Sequence, residues 1–271
     1  MDPATPERGE GHRRRPLRCP QVGFTRRFID ANVAASQRLA RTLALPTDKT
    51  LWRSFEREVQ KDIRALPDGS VVLDVGGGRR CVYHHALRPE IELIATDISA
   101  EELEQNPHAN RTVVADVSQH LPLPDESADL VVSRAVLEHV PDVRAAARNL
   151  AAVMKPGAKT MHLLPGRNSL FGLAARLLPF TPLLSVLHWV DPSTVGQTEF
   201  DVHYDQGTPD RLQAAFEAAG LRDVSVEVTW AQPEYFQSVF PVFVLYSVYE
   251  WITRRLQIRS LAAYMVLRAW R

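Results

Sequence analysis

Asp74 closes the apolar run Val71-Val72-Leu73 and leads through Val75 into Gly76-Gly77-Gly78, while Thr96-Asp97 closes a second apolar run. Glycines behind a buried strand let backbone N–H groups approach a ligand, and a helix starting there would turn its N-terminus toward it. An acid about 20 residues further on is placed to take ribose hydroxyls. Residues of these types in this order describe a nucleoside cofactor site.

The charge at Asp74 narrows the cofactor. A dinucleotide fingerprint G-x-G-x-x-G would run through Gly76, Gly78 and position 81, which is Cys81, and it has no use for an acid in the strand end. A carboxylate there would repel a pyrophosphate, but it helps to hold the sulfonium and amino group of S-adenosylmethionine, directly or through water. A dehydrogenase on the same fold is therefore disfavoured.

The elements that must position these residues are readable as alternating patterns. Apolar runs of strand length fall at 71–75, 92–96, 111–115, 128–133 and 159–164, and the alternation with helical segments predicts a parallel sheet covered on both faces. Ligands in such sheets sit at the carboxyl ends of the strands, where Asp74, Asp97, Asp116 and Ser133 all fall. A helix is expected over 142–154, stopped by Pro156-Gly157, and another over 209–219, stopped by Gly220. Strands follow at 224–230 and 261–270. Ahead of the first strand, helices are expected over 24–45 and 51–66, split by Pro46.

With these motifs the chain resembles the class I S-adenosylmethionine-dependent methyltransferases (type 11-like) from Val71 to Gly157. The first motif, acid-x-Gly-x-Gly, falls on Asp74, Gly76 and Gly78, with Gly77 between, and its usual third glycine falls on Arg80. The ribose acid falls on Asp97 with Ile98 beside the adenine, and the adenine-edge acid on Asp116 with Val117. The run from Leu121 to Ser133, then Leu137-Glu138-His139-Val140 and Lys155-Pro156-Gly157, complete the series. The resemblance implies a doubly wound, Rossmann-like α/β sheet of seven strands, mostly parallel with an antiparallel last strand, carrying N-terminal helices and an insertion cap.

The chain then divides into a flexible basic arm (1–21), N-terminal helices (22–69), a cofactor-binding core (70–165), a cap insertion (166–208) and a C-terminal part of the sheet (209–271). That last part carries an apolar helical insertion at 233–258. The stretches 169–190 and 235–256 are apolar, yet prolines or charges interrupt both, so neither is expected to cross a bilayer. A lid, a homodimer interface and a peripheral membrane contact all remain open for them.

Methyl transfer from a sulfonium is an in-line displacement, and a hydroxyl acceptor usually needs a base as well. His139, after the fourth strand, and His162, in the fifth, are the candidates; each has a structural alternative, as a helix-start histidine and a strand-face core histidine. From Met161 onward the chain loosely resembles a bacterial subgroup associated with polysaccharide and glycolipid assembly. That resemblance places the acceptor near Arg167, Tyr204 and Asp205 and implies O-methylation of a sugar, a lipid-linked glycan or a related small molecule. N-, C- or O-methylation of a natural product or quinone is an alternative, as is a non-catalytic partner subunit, because Arg80 replaces the third glycine.

Composition removes other classes. Lys plus Arg equals Asp plus Glu, 32 each in 271 residues, so no global field recruits nucleic acid. Cys19 and Cys81 are the two cysteines, which fits a reducing cytoplasm, with membrane association left open. No apolar segment follows Arg13-Arg14-Arg15 to form a secretory signal. The adjacent pair His84-His85 lacks a third ligand at metal-binding spacing, so no metal is expected.

Overall fold

In a computed structural model, residues 20–45, 48–170, 173, 201–231 and 234–271 are described. The arm over 1–19 and nearly all of the apolar stretch 169–190 lie outside them. Seven strands form one sheet: β1 (Val71–Val75), β2 (Glu92–Asp97), β3 (Arg111–Val114), β4 (Ala128–Arg134), β5 (Met154–Pro165), β6 (Arg222–Thr229) and β7 (Tyr264–Trp270). Their spatial order is β3-β2-β1-β4-β5-β7-β6. β1 to β5 pair in parallel, and β7 runs antiparallel to both β5 and β6. This is the doubly wound, mostly parallel sheet with an antiparallel last strand.

The helices are α1 (Pro20–Thr42), α2 (Asp48–Ala65), α3 (Ala100–Glu104), α4 (Val143–Val153), α5 (Pro209–Ala218) and α6 (Phe240–Arg255); α2 packs on one face of the sheet and α4 and α5 on the other, while α1 packs against α6. α2 presents Leu51, Phe55, Val59 and Ile63 at four-residue spacing, and all four are buried with Val72, Leu130, Val132, Met161 and Val266. Each is worth about 1.5 to 3 kcal/mol relative to exposure. The neighbouring stripe of α2 is acidic and ties to the sheet: Glu58 accepts from Arg268 at 2.7 Å and from Lys159 at 2.9 Å, and Asp62 accepts from Lys159 at 2.6 Å. Burial alone would raise the Glu58 carboxyl, but the hydrogen bonds and charges of Arg268 and Lys159 outweigh it and hold it below its usual range.

The opposite face packs Leu73, Val75 and Val131 against α4 and α5 through Leu150 and Phe216. α4 starts at Asp142, whose carboxylate accepts from the N–H of Ala145 at 2.9 Å. α5 opens on Pro209 and is followed by Gly220 at φ +86°, the left-handed stop its sequence predicts.

Several element limits differ from the sequence reading, those of β5 and β7 among them. β5 starts at Met154, directly at the end of α4, because Met154 pairs with Ala128. β7 starts at Tyr264, since residues 259–261 make a 3-10 turn instead. Among the described residues, no helix is long and apolar enough to cross a membrane.

Candidate cofactor and acceptor site

The carboxyl end of β1 turns at Gly76, whose φ of +68° a side chain would strain and whose added Cβ would overlap Val136. The N–H groups of Gly76 and Gly77 both donate to the Thr96 carbonyl, at 2.7 and 3.0 Å, so the loop is stitched to the end of β2. The Gly78 N–H donates to the Asp97 carboxylate at 3.2 Å, and the other Asp97 oxygen accepts from the Ser99 N–H at 3.0 Å. Asn106 steadies the loop from outside, donating to the Gly78 carbonyl at 2.9 Å. A Cβ on Gly78 would meet nothing nearer than Asp97 and Glu102 at 3.8 Å, so the loop opens in front of the Asp97 carboxylate.

The chain after this loop departs from expectation. No α-helix follows; residues 79–83 run as turns into the 3-10 turn His84–Ala86. Cys81 and Tyr83 are turned inward and buried against α2, with Tyr83 edge-on to Phe55, while Arg79 and Arg80 stay exposed. The ligand-facing helix N-terminus expected here is therefore absent, and Arg80 occupies the third-glycine position on the surface. Arg79 pairs with Glu102 of α3 at 2.7 Å.

Asp74 is buried, and burial pushes its carboxyl up to about 7; a hydrogen bond from the Cys81 thiol and the charge of Arg134 pull the other way, while Asp97 adds to the rise. Tyr83 Oη and Thr96 Oγ1 are buried without a hydrogen-bond partner. A buried acid short of positive charge, with hydroxyls short of partners, fits a ligand that brings an ammonium and a sulfonium. At the neighbouring strand ends Ile98 is 60% exposed, an apolar surface beside Asp97, and Asp116 accepts from the Ser118 N–H at 2.8 Å. The Val117 side chain is buried in the core and its carbonyl accepts from Asn149 at 2.9 Å.

Ser133 does not belong with these residues. It pairs in register with Val75, so its side chain leaves the face opposite to Asp74, and its hydroxyl bonds to His162 Nδ1 at 2.7 Å. His162 itself is fully buried, its Nε2 bonded to Thr160 Oγ1 at 2.6 Å and its ring near Phe216. Burial drives its pKa down to about 3. With both ring nitrogens committed inside the core, His162 has no path to an acceptor proton, and the core-histidine alternative holds.

His139 sits in a turn after β4, ahead of α4 and not at its start: its N–H donates to the Val136 carbonyl at 2.9 Å. Its Nδ1 lies 3.0 Å from the Asp201 carbonyl, an acceptor only, so Nδ1 carries the hydrogen and Nε2 carries the lone pair of the neutral ring. Beside it stands a residue the sequence reading passed over. Glu138 is buried, its Oε2 has no partner, its Oε1 lies 3.9 Å from His139 Nε2, and burial pushes it up to about 8. The one signal was its place next to His139 between Leu137 and Val140.

The residues assigned to the acceptor form a clasp. The Glu138 carbonyl accepts from the N–H groups of His203 and Tyr204, both at 2.9 Å, and Arg167 donates to the Tyr204 carbonyl at 3.2 Å. Tyr204 is buried with φ +49°. Asp205 accepts from the Val143 N–H at 2.9 Å and so serves as a second carboxylate at the start of α4. Asp205 is thus a structural residue, because its charge already answers a helix N-terminus. His84, His85 and His108 stack near the loop, with ring centroids 3.7 and 4.0 Å apart, and no group of three metal-ligating residues occurs among the described residues.

Residues 73–161 match the family model described as a methyltransferase domain. Among solved structures, the chain is similar to a SAM-dependent methyltransferase from Archaeoglobus fulgidus, with 20% identity, 80% of this chain and 92% of that one covered, and a TM-score of 0.50. It is also similar to a candidate sarcosine dimethylglycine methyltransferase from Galdieria sulphuraria, with 12% identity, 80% and 84% covered, and a TM-score of 0.51. Among curated proteins none matches.

Proposed function

We propose that the chain is an S-adenosylmethionine-dependent methyltransferase that methylates a hydroxyl on a sugar, a lipid-linked glycan or a related small molecule, with His139 as the base. The bound cofactor supplies a methyl group on a positively charged sulfur, which becomes a neutral thioether on transfer. Asp74 would hold the methionine portion with the backbone of Gly76, Gly77 and Gly78. Asp97 would take the ribose, and Ile98, Asp116 and Val117 the adenine.

The observation that carries the acceptor reading is the fixed ring of His139, whose Nδ1 is occupied by the Asp201 carbonyl. Nε2 of His139 would take the proton that the acceptor hydroxyl gives up. An amine acceptor that arrives as its free base can attack without such help, so a base set to a single tautomer supports a hydroxyl.

A non-catalytic cofactor-binding subunit is the second reading, favoured by the loss of the helix after the glycine loop. Methyl transfer from labelled cofactor to a panel of glycans and lipid-linked sugars, run beside quinols and amines, tests both. Labelling of a hydroxyl that is lost in His139→Ala supports the first reading. Tight cofactor binding with no labelled product on any acceptor supports the second.

A further inference from the structure

α6 is apolar on two opposite faces. Its inner face buries Phe243, Tyr246, Ser247, Glu250 and Thr253. The residues that remain, Val242, Leu245, Val248 and Ile252 within the helix and Leu256 at its end, follow one another at three- and four-residue spacing and all stand exposed, Leu245 at 73% and Leu256 at 64%. Trp251 is exposed beside them. More than half of the large apolar side chains exposed among the described residues fall between Val239 and Leu256, a contiguous patch where scattered ones are the rule.

The inner face explains why the helix is held in place at all. The Phe240 N–H donates to Asn32 of α1 at 2.8 Å, and Ser36 of α1 donates to the Gln237 carbonyl at 3.0 Å. Trp230 at the end of β6 donates to the Ile258 carbonyl at 3.0 Å, fastening the far end. The outer face is therefore presented by a fixed scaffold.

We propose that this outer face of α6 docks on an anionic phospholipid bilayer, lying in the interface without crossing it. The charges on the patch select that occupant. Arg254, Arg255 and Arg259 are exposed at its C-terminal end, whereas Glu250, the acid of the helix, is buried on the inner face. Leucine, isoleucine, valine and a tryptophan with arginines at one border are the composition of a helix that sinks its apolar face among acyl chains and leaves its cations at the headgroups. A patch for a second copy would instead set each cluster of arginines against a complementary acid, and the exposed positions of α6 offer none.

The topology gives this docking a use. β6 is antiparallel to β7 and β7 to β5, so the Thr229 end of β6 lies on the same edge of the sheet as the Pro165 end of β5; both pair with Tyr264. The segment carrying α6 thus leaves the sheet from the edge where β1 delivers Asp74. Docking does not depend on which acceptor is methylated.

The test is co-sedimentation of the full chain with vesicles of phosphatidylglycerol and phosphatidylcholine, against vesicles of phosphatidylcholine alone. We expect binding to the anionic vesicles at least tenfold tighter, weakened at least tenfold by Leu245→Glu and by the pair Arg254→Glu and Arg255→Glu. Cofactor affinity should stay at wild type in these variants, and so should the thermal midpoint of Leu245→Glu; the arginine pair also reverses the charge that acts on the buried Glu250 and should melt somewhat lower. Equal binding to both vesicles, or none, overturns the proposal. So does a dimer in analytical ultracentrifugation that Leu245→Glu dissociates, which would give the patch to a second copy. Absence of both vesicle binding and dimer would point to the chain's own apolar stretch 169–190 as the cover, and would overturn it as well.

Discussion

Asp97 accepts the Gly78 N–H at 3.2 Å, so the acid that ends β2 and the glycine loop that ends β1 are hydrogen-bonded to each other. One residue would then do two things: it shapes the loop and, in the proposed site, offers its remaining lone pairs to the ribose. Asp97→Ala should lose both. With charged hydrogen bonds at about 1.5 to 3 kcal/mol each, calorimetry should show cofactor affinity down by roughly ten- to a hundredfold or more. Asp97→Asn should fall between, because the amide oxygen can still accept from Gly78. Wild-type affinity in Asp97→Ala would remove β2 from the cofactor site.

Gly76→Ala combines a left-handed backbone with an overlap on Val136, at the start of the His139 turn. The backbone term alone costs about 1 to 2 kcal/mol. The variant should melt lower and bind cofactor more weakly. Adding Val136→Ala should relieve the overlap and leave the backbone strain, so recovery should be partial. Full recovery in the double variant would mean that the turn tolerates an alanine at φ +68° and that only packing fixes it.

The strands around this site were legible as apolar runs, those of β1, β2 and β5 closed by an acid or a glycine, and 71–75 coincides with β1 to the residue. What was not legible depends on facing and distance. Ser133 lies at the same edge of the sheet as Asp74 but points to the other face, a parity that the register with Val75 decides. The cap that Asp205 gives to Val143 spans 62 residues and has no local signature. The missing helix after Gly78 follows from Cys81 and Tyr83 filling the core under α2, and a strand-turn-helix pattern carries no trace of that.

In the proposed site Asp74 would tie cofactor binding to pH. Its carboxyl is raised to about 7 by burial, with the Cys81 hydrogen bond and Arg134 opposing. A bound cation at Asp74 favours the ionised form, so binding releases a proton wherever the free protein holds one. Affinity for S-adenosylmethionine should therefore rise with pH up to about 7 and level off above it. Asp74→Asn should bind weakly and without that slope. Titration calorimetry in buffers of different ionisation enthalpy reads the proton directly, and a pH-independent affinity in wild type would contradict the assignment.

Glu138 acts on stability with a definite sign. Its pKa is raised from 4.5 to about 8 by burial. Below about 4.5 both folded and unfolded chains hold the proton, and nothing is lost or gained. Between the two values the folded chain keeps a proton that the unfolded chain has released, so stability falls as pH rises, and the loss is complete above about 8. Glu138→Gln should remove that slope. Melting curves across this range should show the wild type dropping relative to the variant, and parallel curves would place Glu138 in contact with water.

His139 and His162 separate chemistry from structure. His139→Ala should keep cofactor affinity and fold but lose about 10²- to 10⁴-fold in turnover on a hydroxyl acceptor, the usual contribution of a positioned base. Its loss should also flatten the acid limb of the pH–rate profile, which removal of a merely structural residue would leave in place. His162→Ala should do the reverse. It strips the Ser133 and Thr160 hydroxyls of their partner inside the core, at a cost of about 1 to 3 kcal/mol for each group left unsatisfied. The protein should melt lower while each folded molecule turns over at the wild-type rate. A turnover defect in His162→Ala at a temperature where it is fully folded would return that histidine to the reaction. It would also require Phe216 and α5, which pack against it, to open toward the acceptor.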